Sequence, residues 1–476
     1  MSPDIAAVVY AIGILVLFWL DRNPEARTSK ALGLPIAYLF LSGSRPVSGW
    51  LAILGLGQAV SFNSPDQYLD GSPVDRNVYL AFLLVGVLVL IKRRPDVQRI
   101  LRTNLPLVVF FLYCFLSVLW SDYTFVSFKR WTKAICDLVM VLIVITDPEP
   151  IPAIKRFLSW PAFVLVPLSV LFIKYFPELG REYNRWTWLP AYSGVTETKN
   201  ELGMLCLIFG LASLWRFLSE YREPATKVRT RQLIAHGTIL LMVFWLFWMA
   251  NSMTSLSCFL LGGVLIFAAG LPRFYQRPAF VHFAVSGMIV ASALVLFSGS
   301  GGGVLSTMGR DPTLTGRTEI WNAVLSVSGS PLLGTGFESF WLGDRITKVW
   351  AMTMKGLQEA HNGYLEVYLN LGWIGAGLLC GIILAGYRNV TEVLRYDAQA
   401  GSLMLALFVT TMVYSFTEAG FRMTTLTWIS LLLVVTAPWT CLDQQYTPEG
   451  AVNTSAGVDV IGVGVDATFH SVEATR

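Results

Sequence analysis

The chain has 476 residues, 54% of them hydrophobic and 14% charged, with a mean hydropathy of +0.57 and a formal net charge of +4. Soluble domains carry about 25% charged residues, so this composition excludes an ordinary globular enzyme and indicates a chain that crosses a membrane many times. Basic loops on the cytoplasmic side account for the small positive excess, and no nucleic-acid partner is required.

In chain order, apolar runs at residues 5–20, 31–43, 78–91, 105–120, 132–146, 158–175, 199–217, 233–250, 253–270, 279–297, 362–386, 401–417 and 423–439 read as spans. Several are shorter than the roughly 20 residues of a straight span. Residues 47–60 read as a re-entrant or interfacial segment, which brings the total to about 12–14. The expected fold is therefore all-α, a polytopic integral membrane helix bundle occupying residues 1–440. Residues 5–20 have no basic region before them and no small-residue cleavage site after them, so they read as a retained span. Residues 441–476, rich in Gly, Val, Thr and Ser without periodicity, read as a disordered cytoplasmic tail. Of the six cysteines, five lie in apolar runs, and none has metal-like spacing; neither a disulfide framework nor a zinc site is expected.

Lys and Arg set the orientation. The connections 21–30, 92–104, 147–157, 216–232, 271–278 and 387–400 hold 19 of the 35 basic residues and should face the cytoplasm. The alternate connections 44–77, 121–131, 177–199, 298–361 and 418–422 then face outward. The segment 47–60 leaves the direction of the first two spans open.

Two outer segments are long, 177–199 and 298–361. The second opens with a flexible run, Ser298 to Gly303, followed by Arg310, Asp311 and Arg317. Residues 318–328 then alternate apolar and polar positions with helical spacing, which predicts a short amphipathic helix on the membrane surface, with Thr318 as N-cap. Arg317 would sit at its N-terminal end, where free amides also attract an anion. His361 precedes the next span and is the one outer histidine of four in this topology. A neutral imidazole there can accept a proton from a hydroxyl, with Glu359 and Asn362 placed to orient it. The segment 177–199 carries Arg181, Arg185 and Lys199, followed by Asn200; three cations in a short outer loop run against the positive-inside tendency and suit phosphate binding. Lys129 and Arg130 form a third outer basic group. Asp137 is the chief intramembrane charge, with no partner apparent in the sequence.

Taken in order, these motifs resemble the O-antigen ligase and O-antigen polymerase superfamily. The matching residues are Arg317-Thr-Glu-Ile-Trp, Leu333-Gly-Thr-Gly, His361-Asn-Gly-Tyr-Leu-Glu and Leu371-Gly-Trp-Ile-Gly, with Lys199-Asn-Glu-Leu-Gly upstream. Ser42-Gly-Ser-Arg-Pro-Val-Ser-Gly-Trp is similar to a stretch in exopolysaccharide polymerases of that superfamily. The resemblance covers about residues 30–440 and is strongest over 196–377. It implies a metal-independent, cofactor-free membrane glycosyltransferase of the bacterial inner membrane, with its site facing the periplasm. The implied donor is an undecaprenyl-pyrophosphate-linked glycan, and the acceptor is another glycan or lipid A-core. Membrane lipids and a chain-length regulator are further implied partners. Arg317 and His361 would be catalytic; Arg317, Arg310, Lys199 and one of Arg181 or Arg185 would bind pyrophosphate; Asn362, Glu359, Asn200 and Arg130 would support. The expected activity is polymerisation of the repeat unit by an inverting displacement, with ligation to lipid A-core as the alternative. A lipid-linked sugar transporter is the competing class, and it predicts charged or broken helices along a central path.

Overall fold

The computed structural model describes residues 1–57, 69, 71–183, 190–271, 277–297, 317–354 and 356–437. Residues 298–303, Arg185, Arg310 and residues 441–476 lie outside the described residues. Each of the thirteen apolar runs contains a helix among the described residues. Six helices are long and apolar enough to span a membrane: Pro3–Leu20, Pro73–Lys92, Pro150–Tyr175, Lys199–Arg222, Lys227–Ala250 and Gly363–Tyr396. Arg94–Thr103 and Leu105–Trp120 form a pair bent by 91°, and five shorter apolar helices accompany them. The helix Thr124–Ile145 is long enough but carries Lys129, Arg130, Lys133 and Asp137. The only strands among the described residues are Arg181–Tyr183 and Pro190–Tyr192, paired antiparallel.

The chain is a multi-pass membrane protein. Its peripheral helices are apolar all round, with Ile5, Val8, Val9, Ile12 and Leu15 exposed on Pro3–Leu20 and Leu84, Leu88 and Ile91 exposed on Pro73–Lys92. The helices Lys199–Arg222, Ala398–Tyr414 and Leu426–Thr436 are buried along most of their length and form the centre. Four described cysteines are buried in helices and unpaired.

Connections assigned to the cytoplasm meet one another. Arg93 faces Asp147 at 3.7 Å, Arg216 reaches Asp21 at 3.0 Å and Glu220 at 2.9 Å, and His236 Nε2 lies 3.2 Å from Asp21. Arg156 donates to Ala26 O at 2.9 Å. These pairings join segments 21–30, 92–104, 147–157 and 216–232, as the basic-residue pattern expects.

The outer segment 317–361 has a small core of its own. Ile320 and Val324 of the helix Arg317–Ser326 pack with Phe340, Trp341, Ile346 and Val349. This corrects the expectation of a helix lying on the membrane surface: its apolar face is covered by protein. Thr318, the expected cap, lies inside the helix Arg317–Ser326.

The glycine motifs fasten this outer unit to the bundle. The helix Gly363–Tyr396 breaks at Gly372, whose φ of 63° and ψ of −164° are non-helical. The break frees backbone groups, and the turn at 331–336 takes them up. Trp373 N donates to Pro331 O at 2.9 Å, while Thr335 N and Gly336 N donate to Leu369 O and Asn370 O at 3.1 and 2.9 Å. The approach admits no side chain. A Cβ on Gly372 would lie 2.3 Å from the Leu332 carbonyl carbon, and one on Gly334 would lie 2.4 Å from that of Asn370.

Candidate functional site

The connections expected to face outward converge on a cavity of about 730 Å³. Its lining comes from segments around 41–49, 71–79, 126–133, 196–204, 354–361 and 414–426. Every one belongs to an outer connection or the span end beside it. Carboxylates on the wall include Glu197, Glu201, Glu359 and Glu418; cations include Lys129, Arg130, Lys133 and Arg422.

His361 sits between two carboxylates. Its Nδ1 is 2.9 Å from Glu359 Oε1 and 3.2 Å from Glu418 Oε2. Glu418 Oε1 accepts from Arg317 at 2.8 Å. Burial opposes charge on the imidazole, but the hydrogen bonds and charges of Glu359 and Glu418 outweigh it and raise His361 to about 10. Burial would likewise push Glu359 up, yet the hydrogen bond from His361, with Arg422 and Arg317 nearby, brings it below its ordinary value. The ring is therefore an imidazolium at neutral pH. The sequence suggests a neutral imidazole; the two carboxylates on Nδ1 favour its protonated form. Glu359 Oε2 makes no hydrogen bond among the described residues, and Glu359 lines the cavity.

Local structure sets this geometry. His361 has a φ of 48°, in the left-handed region. Beneath it, Glu366 is buried and accepts from Ala360 N, while Trp341 Nε1 donates to its two oxygens at 3.1 and 3.0 Å. Trp321 Nε1 donates to Ala360 O at 2.9 Å. Asn362 is a helix cap: its Oδ1 accepts from Leu365 N at 3.0 Å, so its role is to start the helix Gly363–Tyr396. Gly363 N donates to Ser415 O at 2.8 Å, which brings the loop bearing Glu418 against the histidine segment.

The other sequence candidates separate into groups. Glu359, His361, Asn200 and Arg130 line the cavity. Arg317 stands behind Glu418 and is not part of the lining. Arg181 donates to Ile173 O at 3.1 Å from Nε and 2.8 Å from Nη2 and stacks on Tyr192, away from the lining. Lys199 is exposed on the first turn of its helix, and the lining residues there are Thr198, Asn200 and Glu201. The Thr198–Glu201 capping box accounts for that motif's start signal, with Thr198 Oγ1 accepting from Glu201 N at 3.2 Å. Arg45 of the N-terminal motif donates to the carbonyls of Leu179, Gly194 and Thr196, and so ties the outer loop 177–199 to the bundle.

Sequence reasoning missed Glu418, Arg422 and Lys133. An acid and a base within the five-residue connection 418–422 were the available signal. Arg422 Nε is 3.7 Å from Glu338 Oε2, and Arg130 donates to Glu338 O. Asp137 also proves to be partnered: Tyr38 Oη donates to Oδ1 at 2.6 Å and Thr424 N to Oδ2 at 2.9 Å. It fixes the outer loop rather than standing alone in lipid.

Glu359, His361 and Glu418 can each offer one ligand atom to a cation, all within 4.8 Å of one another. Both carboxylates already aim at one imidazole nitrogen, and Arg317 holds Glu418. A divalent ion would have to displace the imidazole proton.

Residues 237–380 match the family described as O-antigen ligase. Over 309 residues the chain is 23% identical to the exopolysaccharide production protein ExoQ of Rhizobium meliloti (strain 1021), covering 62% of this chain and 67% of that protein. The family match takes in Arg317, Glu359, His361 and the Gly372 break; Glu418, Arg422 and the basic wall of the helix Thr124–Ile145 come from outside it.

Proposed function

We propose that this chain belongs to the O-antigen ligase/polymerase superfamily, to which residues 237–380 are similar, and that it polymerises a lipid-linked oligosaccharide at the periplasmic face of the bacterial inner membrane. The donor is a glycan on undecaprenyl pyrophosphate, and the acceptor is a second glycan. The observation that carries this reading is the cavity where a carboxylate-held His361 shares one wall system with several cations, at the end of the bundle assigned outward.

The chemistry follows from that arrangement. The acceptor hydroxyl oxygen attacks the anomeric carbon of the donor. The bond from that carbon to the pyrophosphate oxygen breaks, and its electron pair leaves with the pyrophosphate. The hydroxyl proton passes to Glu359, a cavity-lining carboxylate whose Oε2 has no partner among the described residues. His361, as a cation, keeps Glu359 ionised and in place, and Arg317 holds Glu418 in position through their ion pair. Cations on the wall offset the charge developing on the leaving group, so the reaction proceeds without a metal. A single displacement inverts the anomeric centre. The likeness to an exopolysaccharide production protein is the reason polymerisation is proposed ahead of ligation to lipid A-core, between which the gel assay decides.

The test uses purified protein in nanodiscs with an undecaprenyl-pyrophosphate oligosaccharide. Glu359→Gln and His361→Ala should each lower transfer at least a hundredfold while the melting temperature stays within a few degrees. Full activity in either folded variant refutes the proton path.

A further inference from the structure

We infer that Lys129 and Lys133 form the subsite that holds the diphosphate group of the lipid donor. This rests on the reading above that the donor is a lipid pyrophosphate. The two lysines lie four residues apart on the helix Thr124–Ile145, one turn from each other on one face, and both line the cavity. Neither is ion-paired among the described residues. Their ammonium groups lie 5.0 Å from aromatic centroids, Lys129 over Phe125 and Lys133 over Tyr79. Those rings hold the ammonium groups without neutralising them.

Asp75, an acidic residue of the same wall, accepts from Ser48 N at 2.9 Å and from Ser48 Oγ at 2.6 Å and forms no ion pair with either lysine. Arg130, between the two lysines, turns its guanidinium to the Glu338 carbonyl. Two like charges one turn apart repel, and a half-buried cation without a counter-ion is costly in a bundle surrounded by lipid. An anion with two or more charges spread over several oxygens removes both penalties together. A diphosphate has that shape and charge, and two lysines serve it as separate point charges. The same cavity contains Glu359 and His361, so a diphosphate held here leaves its attached sugar within the chamber where the acceptor hydroxyl is handled. Leu69, Val126 and Met354 add apolar lining beside the basic wall for the first part of a lipid chain.

The experiment measures lysine acetylation by mass spectrometry on the full-length protein in nanodiscs, with farnesyl pyrophosphate, farnesol or inorganic pyrophosphate present. Farnesyl pyrophosphate should lower labelling of Lys129 and Lys133 at least fivefold, and farnesol should leave both unchanged. Equal protection by inorganic pyrophosphate identifies the free diphosphate group as sufficient; protection by the farnesyl compound alone shows that the chain is needed too. Labelling of both lysines unchanged by either diphosphate overturns the assignment. As a second arm, Lys129→Gln with Lys133→Gln should weaken farnesyl pyrophosphate binding at least tenfold, and Lys133→Arg should retain most of it. Undiminished binding in the double variant also overturns it. If the wild-type protein binds farnesyl pyrophosphate through these lysines yet forms no glycosidic bond from an oligosaccharide donor, the transferase reading fails and the subsite stands. If it forms the bond and the double variant does so equally well, the subsite alone fails.

Discussion

Replacing Glu418 with glutamine should lower the titration midpoint of His361 by at least one pH unit. In the folded protein Glu418 Oε2 lies 3.2 Å from His361 Nδ1 and Glu359 Oε1 lies 2.9 Å from the same atom, and His361 is raised from 6.5 to about 10. At about 1.4 kcal/mol per pH unit, that interval corresponds to on the order of 3–5 kcal/mol of preference for the imidazolium. Glutamine keeps the shape and removes one of the two charges, so about half of that preference should go, roughly 2 kcal/mol at pH 7. The sign is fixed by linkage. A histidine raised on folding stabilises the fold fully below 6.5, and that stabilisation is lost as pH rises through about 10. Ring-labelled histidine NMR in nanodiscs reads this directly, because the chain has only four histidines and His361→Gln assigns the signal. Wild-type His361 should show no midpoint between pH 6 and 8. A wild-type midpoint near 6.5 would refute the whole electrostatic account of the site.

Other outcomes follow from the same geometry. Transfer activity should be flat from pH 6.5 to 8.5 and fall as the pH approaches 10, since it needs ionised Glu359 and protonated His361; a rise through 6.5 would instead mark a free imidazole base. Gly372→Ala should cost about 2–4 kcal/mol, read as a fall in melting temperature, because its Cβ would meet the Leu332 carbonyl carbon at 2.3 Å in a backbone region that disfavours side chains. Glu366→Ala removes the acceptor for Trp341 and Ala360 N and should reduce transfer more than tenfold together with stability by about 2 kcal/mol. Treatment with a strong chelator should leave transfer unchanged; its loss, restored by one divalent ion, would mean that Glu359, His361 and Glu418 hold a metal instead of an ion pair.

Hydrophobic runs made the helices legible, because a span must satisfy its own backbone in lipid and therefore shows as a continuous apolar stretch. Four of the six connections grouped by basic-residue counts meet at one end, where Arg93 lies by Asp147 and Arg216 by Asp21. The short motifs were legible as positions but less so as roles. Asn362 and the Thr198–Glu201 pair cap helices, while Gly334 and Gly372 allow two backbones to meet. The pairings at the site were not legible. Arg317 and Glu418 are 101 residues apart and His361 and Glu418 are 57 apart, and no local periodicity encodes such contacts. Without Glu418, His361 reads as a neutral base and Arg317 as a free cation. The amphipathic helix at 317–326 was misassigned to a lipid surface for a related reason: its covering residues, Phe340, Trp341 and Val349, lie beyond a turn.

The central claim is that this cavity joins lipid-linked glycans. Purified protein should be incubated with undecaprenyl-pyrophosphate oligosaccharide, with and without lipid A-core, and the products separated on a gel. The account predicts a ladder of repeat-unit multiples that needs no lipid A-core and disappears in Glu359→Gln. A single product that forms only with lipid A-core, or no new glycosidic bond from a folded protein, would contradict it.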